Sequence, residues 1–148
     1  MKASQKAIQI IKDSESLKLK AYICPAGKLT IGYGHTKNVT PAMMISPLQA
    51  EQLLAEDVSS AEADLNKLLK KSLKQNQYDA LVDFVFNLGA QKLATSTLLK
   101  MVNTNPHNAL IPAEFLKWVY ATNPKTGLKE KLPGLVTRRE KEAKLYSL

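Results

Sequence analysis

Apolar residues recur along the chain in two rhythms. After Ser4, positions Ala7, Ile8 and Ile11, with Ile10 beside them, fall on one helical face, and Ser4 is a suitable N-cap. A short helix is therefore predicted, ending near Ser14-Glu15-Ser16 and leaving Glu15 at its end, facing whatever follows. The rhythm then changes. Lys20-Ala21-Tyr22-Ile23 and Leu29-Thr30-Ile31 read as short strands around a Pro25-Ala26-Gly27 turn, before Gly32-Tyr33-Gly34-His35. A small hairpin or meander is expected there.

Ser46-Pro47-Leu48-Gln49 combines a capping box with proline at the first helical position. Leu54, Val58, Ala61, Leu65 and Leu68 carry the pattern on at three- and four-residue steps, giving a helix of about six turns up to Lys70 or Lys71 that suits a bridge between two lobes. Residues 75–88 are apolar on most sides and are stopped by Gly89, as expected of a buried helix. Further helices are predicted over Ser96 to Val102, Pro112 to Tyr120 and Pro133 to Tyr146, with a surface loop at Thr122 to Gly127. The expectation is an α+β, mainly helical chain forming one domain over 1–148. It comprises a β-containing lobe at about 15–45, a connecting helix at about 46–71 and an all-helical lobe at about 72–148.

A chain of 148 residues buries a sizeable core without disulfides or metal. Its 21 basic and 13 acidic residues leave a formal charge of +8, which attracts polyanions: nucleic acid, anionic lipid or the carboxylate-rich bacterial wall. The sign does not choose among them. Cys24 is the single cysteine, so no internal disulfide forms, and no His/Cys cluster has zinc spacing, so no metal is expected. The N-terminal segment interrupts its apolar residues with Gln9, Lys12 and Asp13, unlike a signal-peptide core, and no stretch approaches the roughly 20 apolar residues of a membrane span. Stable membrane insertion is not expected.

The candidate chemistry gathers near the first helix. A glutamate at a helix end against a Gly-rich hairpin suits a general acid, because burial raises a carboxyl pKa toward working pH; the plainer role for Glu15 is a cap or a surface residue. Gly32 and Gly34 bracket Tyr33 and make either a tight bend or a bare backbone against which a polymer lies. His35 is either an acid-base group or a structural hydrogen-bonding partner. Phe86-Asn87 lines a groove or, for Phe86, belongs to the core.

Several blocks in order carry a resemblance. They are Glu15-x-Leu17-x-Leu19-x-Ala21-Tyr22, Pro25-x-Gly27-x-x-Thr30-Ile31-Gly32-Tyr33-Gly34-His35-Thr36, Gln75 to Leu81, Phe84 to Gly89, Ser96 to Leu99, Phe115 to Trp118, and Leu132 to Val136 with Arg138-Arg139-Glu140. Together they resemble the phage lysozymes, glycoside hydrolase family 24, over nearly the whole chain. The resemblance implies a lysozyme-like two-lobed fold and an endolysin. Such an enzyme hydrolyses the β-1,4 bond between N-acetylmuramic acid and N-acetylglucosamine of peptidoglycan in a cleft between the lobes. It also implies a cofactor-free monomer without a nucleic-acid partner, held in the host cytoplasm until a holin opens the inner membrane.

In the family pattern a Glu is the general acid, an Asp nine residues on holds or activates water, and a Thr six further supports that water. Glu15 and Thr30 match; position 24 holds a thiol. Glycoside cleavage ordinarily uses two carboxyls. A thiol with an unperturbed pKa near 8.5 is about 3% thiolate at pH 7, a penalty of roughly 30-fold or about 2 kcal/mol, small beside the 8 kcal/mol or more that enzymes remove from a barrier. Cys24 is accordingly expected to be a working replacement, as base or as nucleophile, with a plain packing role as the alternative. The resemblance further implies that Gly34 and His35 border the cleft, that Phe86 and Asn87 face it, and that of the pair Arg138 and Arg139 one contacts substrate and one ties the lobes together. Two alternatives stand beside this reading: a lytic transglycosylase, in which the substrate's own hydroxyl replaces water, and a catalytically impaired wall-binding module, compatible with the missing aspartate.

Overall fold

Ser4 starts the first helix as its side chain suggests: the Oγ accepts from the Ala7 N–H at 3.4 Å and donates to the Asp79 carboxylate. The computed structural model describes residues 1–148, which form seven helices and four strands. Helix α1 (Gln5–Glu15) buries Ala7 and Ile11 and packs on the helix that carries Asp79. Strands β1 (Lys18–Ile23) and β2 (Leu29–Gly32) form an antiparallel hairpin with Tyr22 opposite Thr30 and a register shift between Lys18 and Tyr22.

Helix α2 (Pro47–Leu68) begins at the predicted capping box: Ser46 Oγ accepts from Gln49 N–H at 3.2 Å, and Gln49 Oε1 accepts from Ser46 N–H at 2.8 Å. Its buried residues, Ala50, Leu54, Val58, Ala61 and Leu65, keep the predicted three- and four-residue spacing. The helix stops at Leu68 rather than at Lys70 or Lys71. Asn103 intervenes there, donating to the Leu68 carbonyl at 3.0 Å and accepting from the Lys70 N–H at 2.8 Å.

Helix α3 (Gln75–Leu88) is the central element and ends at Gly89, whose φ of 92° needs a residue without a side chain. It packs between α2 and the C-terminal helix. Phe84 projects from it edge-on to Phe115 and Trp118, with ring centroids 6.0 and 5.6 Å away. Two short helices, α4 (Ala90–Ala94) and α5 (Thr97–Thr104), follow, the second capped by Ser96. The last helix, α7 (Pro133–Tyr146), has the predicted bounds.

Between these lies a departure from the expected all-helical lobe. The helix expected over 112–120 is a short piece, α6 (Ile111–Phe115), after which the chain tightens and leaves as β3 (Tyr120–Thr122), paired antiparallel with β4 (Lys129–Lys131). The predicted loop becomes the tip of this hairpin, closed by Asn123 N–H to Leu128 O and Gly127 N–H to Asn123 O, both 2.8 Å. The turn-forming residues were legible; their power to pair the flanking residues was not. The fold is mainly helical with small antiparallel strand pairs, one in each lobe.

Candidate active site

Helix α1 ends abruptly. Ser16 takes φ 60° and ψ 162°, a backbone region nearly reserved for glycine and costing on the order of 1–3 kcal/mol. This reversal sends the chain into β1 and leaves Glu15 at the edge of a groove of about 990 Å³. The groove runs between the β1–β2 hairpin, the C-terminal turn of α3, strand β3 and the start of α7.

Glu15 is 18% exposed, and its Oε1 accepts a hydrogen bond from Arg138 Nη1. Gly34 leaves space for the other side of the carboxyl: at φ 75°, a Cβ there would stand 2.7 Å from Glu15 Cδ. Arg138, on the second turn of α7, is itself buried and forked onto Asp83 of α3, through Nε to Oδ2 at 3.0 Å and Nη2 to Oδ1 at 2.9 Å. Burial by itself pushes the Asp83 carboxyl up; the Arg138 charge and hydrogen bonds overcome this and hold it below its ordinary value.

The neighbouring Arg139 is fully buried, with its guanidinium 5.2 Å from the centre of the Phe84 ring. Its Nη2 donates to Asn87 Oδ1 at 2.8 Å and to Glu142 Oε1 at 2.6 Å. Burial, and Asp83 close by, push the Glu142 carboxyl well up, against the opposing pull of Arg139 and Arg138. Arg138, Arg139, Asp83 and Glu142 thus form a buried cluster behind Glu15 and Asn87.

On the facing wall, Cys24 occupies the turn after β1, its N–H donating to Lys28 O at 2.9 Å and its carbonyl accepting from Gly27 N–H at 2.8 Å. Burial opposes the thiolate, but backbone hydrogen bonding at Lys28, the Thr30 side chain and backbone groups of Ala26 and Cys24 outweigh it, so the thiol sits below its ordinary pKa. Thr30 is buried beside it, with its hydroxyl donating to Lys28 O at 2.9 Å. Tyr22 lines the groove too; its phenol is pushed up by burial and by the charges of Glu15 and Cys24. Phe86 and Asn87, half-buried on the last turn of α3, line the groove opposite the hairpin.

Glu15, Cys24, Thr30, Gly34, Phe86, Asn87 and Arg138 therefore share one groove, and His35 does not. His35 corrects the expectation that it borders the cleft. Its ring is 9% exposed and turns to the far side of the hairpin, with Nδ1 2.7 Å from Asp57 Oδ2 and Nε2 2.8 Å from Lys37 O. There it edges a separate cavity of about 430 Å³. Gly34 sits in a turn at φ 75°, and the chain leaves that turn with the His35 ring directed at Asp57 of α2.

Sequence reasoning missed Asp83, Arg139 as a link to Asn87, and Tyr22. One signal was available: Asp79 and Asp83 stand four residues apart on a helix otherwise apolar on most sides, and buried acids require partners. No three His, Cys, Asp or Glu side chains converge as a metal site, and no helix is long and apolar enough to cross a membrane. The groove thus offers a carboxyl fixed by a guanidinium on one wall and an acidified thiol on the other.

Known proteins resemble this chain along most of its length. Residues 12–142 match the family model for phage lysozyme. The chain is 44% identical over 146 residues to an endolysin of Acyrthosiphon pisum secondary endosymbiont phage 1, covering 99% of this chain and 98% of that one. It is 43% identical to an endolysin of Bacillus phage PZA, over 99% of this chain and 55% of the longer relative. The solved structure of an endolysin from Escherichia coli O157:H7 phage FAHEc1 superposes with a TM-score of 0.88 at 37% identity, covering 99% of this chain and 93% of the other. A groove built around Glu15 and Arg138, a family match from α1 to α7 and full-length relatives lead to one conclusion: the chain belongs to the phage lysozyme family.

Proposed function

We propose that this protein is a peptidoglycan-hydrolysing endolysin, a lysozyme-type glycosidase that cuts the β-1,4 bond between N-acetylmuramic acid and N-acetylglucosamine. The observation that carries the reading is the placement of Glu15, fixed by Arg138 in a groove whose opposite wall holds Cys24 and Thr30. Support also comes from the endolysins to which the chain is similar along its whole length.

In this reading the glycan lies along the groove between Phe86-Asn87 and the hairpin, against the bare backbone of Gly34. Glu15 delivers a proton to the glycosidic oxygen. Its Oε1 is occupied by Arg138, so the proton leaves from Oε2, on the side that Gly34 keeps open. As the bond breaks, positive charge builds on the ring, and the Cys24 thiolate on the other wall either attracts water to the anomeric carbon or attacks that carbon itself. The lowered thiol pKa enlarges the thiolate fraction beyond that of an unperturbed cysteine. Thr30 holds the sulfur or its water. Water activation inverts the anomeric configuration and a thioglycosyl intermediate retains it, so proton NMR of the first-formed anomer separates the two.

A second reading rests on one observation, the absence of a carboxylate at position 24: a lytic transglycosylase, in which the substrate's own hydroxyl replaces water. Digestion of purified peptidoglycan tests both. Hydrolysis yields ordinary reducing ends, transglycosylation yields anhydro products one water lighter by mass spectrometry, and no new ends at all indicates a wall-binding module. The monomeric state, accumulation in the host cytoplasm and dependence on a holin belong to the same reading. Expression with and without a holin tests the last two, with lysis expected only in its presence.

A further inference from the structure

We infer that Arg139, working through Asn87, makes the groove selective for N-acetylated sugar: it holds the Asn87 amide so that a hydrogen-bond donor faces the glycan and meets an acetamide carbonyl. The inference rests on the glycosidase reading of the groove, in which both sugars carry N-acetyl groups. Arg139 is fully buried on α7, and its Nη2 donates to Asn87 Oδ1 at 2.8 Å and to Glu142 Oε1 at 2.6 Å. Its Nε and Nη1 are buried with no hydrogen-bond partner. Those two oxygens are the only acceptors that Arg139 has.

A guanidinium only donates, whereas an asparagine side chain has one accepting and one donating end. Turning the Asn87 amide over would set its NH2 against the Arg139 N–H groups and strip a buried cation of one of its two acceptors, a far larger loss than that of an exposed hydrogen bond. The amide is thus fixed with Oδ1 inward. Its Nδ2 donates to no group of the protein and is not sealed in the interior, so it is left for the groove that Asn87 lines. A sugar hydroxyl both donates and accepts and is served by either end of an amide; a carbonyl is served by the donor alone. A de-N-acetylated sugar presents an ammonium, which only donates and has nothing to offer Nδ2. It also meets a groove in which Lys28, Lys92, Arg138 and Lys141 outnumber Asp13 and Glu15.

Soluble tetrasaccharides of the peptidoglycan repeat, N-acetylated and de-N-acetylated, are compared at about 0.5 M salt, where attraction between distant charges is screened. The ratio of kcat/KM on the two is expected to narrow about tenfold in Asn87→Ala, through slower cutting of the acetylated sugar, as one hydrogen bond is lost. A paired variant, Arg139→Met with Glu142→Leu, replaces both buried polar groups by apolar ones together and leaves no charge unpaired. There the freed amide turns its oxygen to the ammonium, and the ratio narrows through faster cutting of the de-N-acetylated sugar. A purely structural Arg139 would slow both sugars alike, and an unchanged ratio in the paired variant overturns its role; an unchanged ratio in Asn87→Ala overturns the whole inference. NMR of the unaltered protein gives two readings that need no variant to fold. The Asn87 NH2 is expected to be as rigid as helix backbone, with an order parameter of about 0.85, and its resonances to shift with the N-acetylated tetrasaccharide and not with the de-N-acetylated one. A mobile amide, or equal shifts with both sugars, contradicts the inference. If the unaltered protein cuts neither sugar, the glycosidase reading fails, and the NMR titration still decides the role of the amide on its own.

Discussion

Arg138 gives one guanidinium nitrogen to Glu15 and two to Asp83, so a carboxyl at the groove and a carboxylate in the core share a single cation. The orientation of the first depends on the second. An arginine fork seated on Asp83 has one remaining direction for Nη1, and that direction is Glu15.

The buried cluster makes stability depend on pH in two opposed ways. Asp83 is held below its ordinary 3.8, so its contribution is present above that pH and is lost as pH falls through the depressed native value. Glu142 is pushed well above its ordinary 4.5, so the native state keeps a proton that the unfolded chain releases, and stability declines as pH rises from about 4.5. Urea unfolding of Asp83→Asn and Glu142→Gln across pH checks both signs. Asp83→Asn is expected to cost about 3 kcal/mol at neutral pH by leaving Arg138 short of a counter-charge, with the deficit shrinking in acid. Glu142→Gln is expected to gain on the unaltered protein as pH rises.

Gly34 provides a test of how Glu15 is held. In Gly34→Ala the methyl group meets Glu15 Cδ at 2.7 Å from a backbone with φ 75°, so both the carboxyl and the turn are displaced. Thermal unfolding is expected to reveal a loss of about 1–3 kcal/mol, and sacculus digestion to fall about a hundredfold, since small misplacements of a reacting group are costly.

His35 separates structure from catalysis. Its ring is tied to Asp57 and to the Lys37 carbonyl on the far side of the hairpin. His35→Ala should lower stability by about 1–3 kcal/mol through the two hydrogen bonds lost and the space left by the buried ring while leaving the rate per folded molecule within about twofold. A rate loss far larger than the stability loss would return His35 to the chemistry.

Cys24 is tested by modification. Its thiol, acidified by hydrogen bonding at Lys28 and Thr30, is expected to react with iodoacetamide at neutral pH faster than an ordinary cysteine, with activity lost in step. Cys24→Ala should cost about a hundredfold or more, the range of a lost general base or nucleophile, whereas Cys24→Asp should restore activity. Full alkylation with an undiminished rate leaves the sulfur no role.

The elements legible in the sequence are those with local chemistry. Ser46 and Gln49 cap α2 between themselves, and Pro133 starts α7 by fixing its own φ. The β3–β4 hairpin lacks such a signal, because Lys129, Glu130 and Lys131 are all exposed and show no alternation of apolar and polar positions. Within the groove, Glu15 was legible from its position at a helix end beside a Gly-rich hairpin, and Cys24 and Thr30 from the family spacing. Asp83 was not, since its significance comes from an arginine on a distant helix, a relationship that only tertiary packing creates. The orientation of His35 was equally hidden, because it is set by Asp57 on α2 and the Lys37 carbonyl after a turn at Gly34.

The most direct measurement compares the unaltered protein with Glu15→Gln on purified sacculi, counting new reducing ends, with urea unfolding run on both to establish that each is folded. The amide keeps the shape of the side chain and removes its proton-donating capacity. Release of reducing ends is expected to fall by about a hundredfold or more in the folded variant. Digestion by folded Glu15→Gln at the unaltered rate would contradict the assignment of proton transfer to this residue and, with it, the account of the groove.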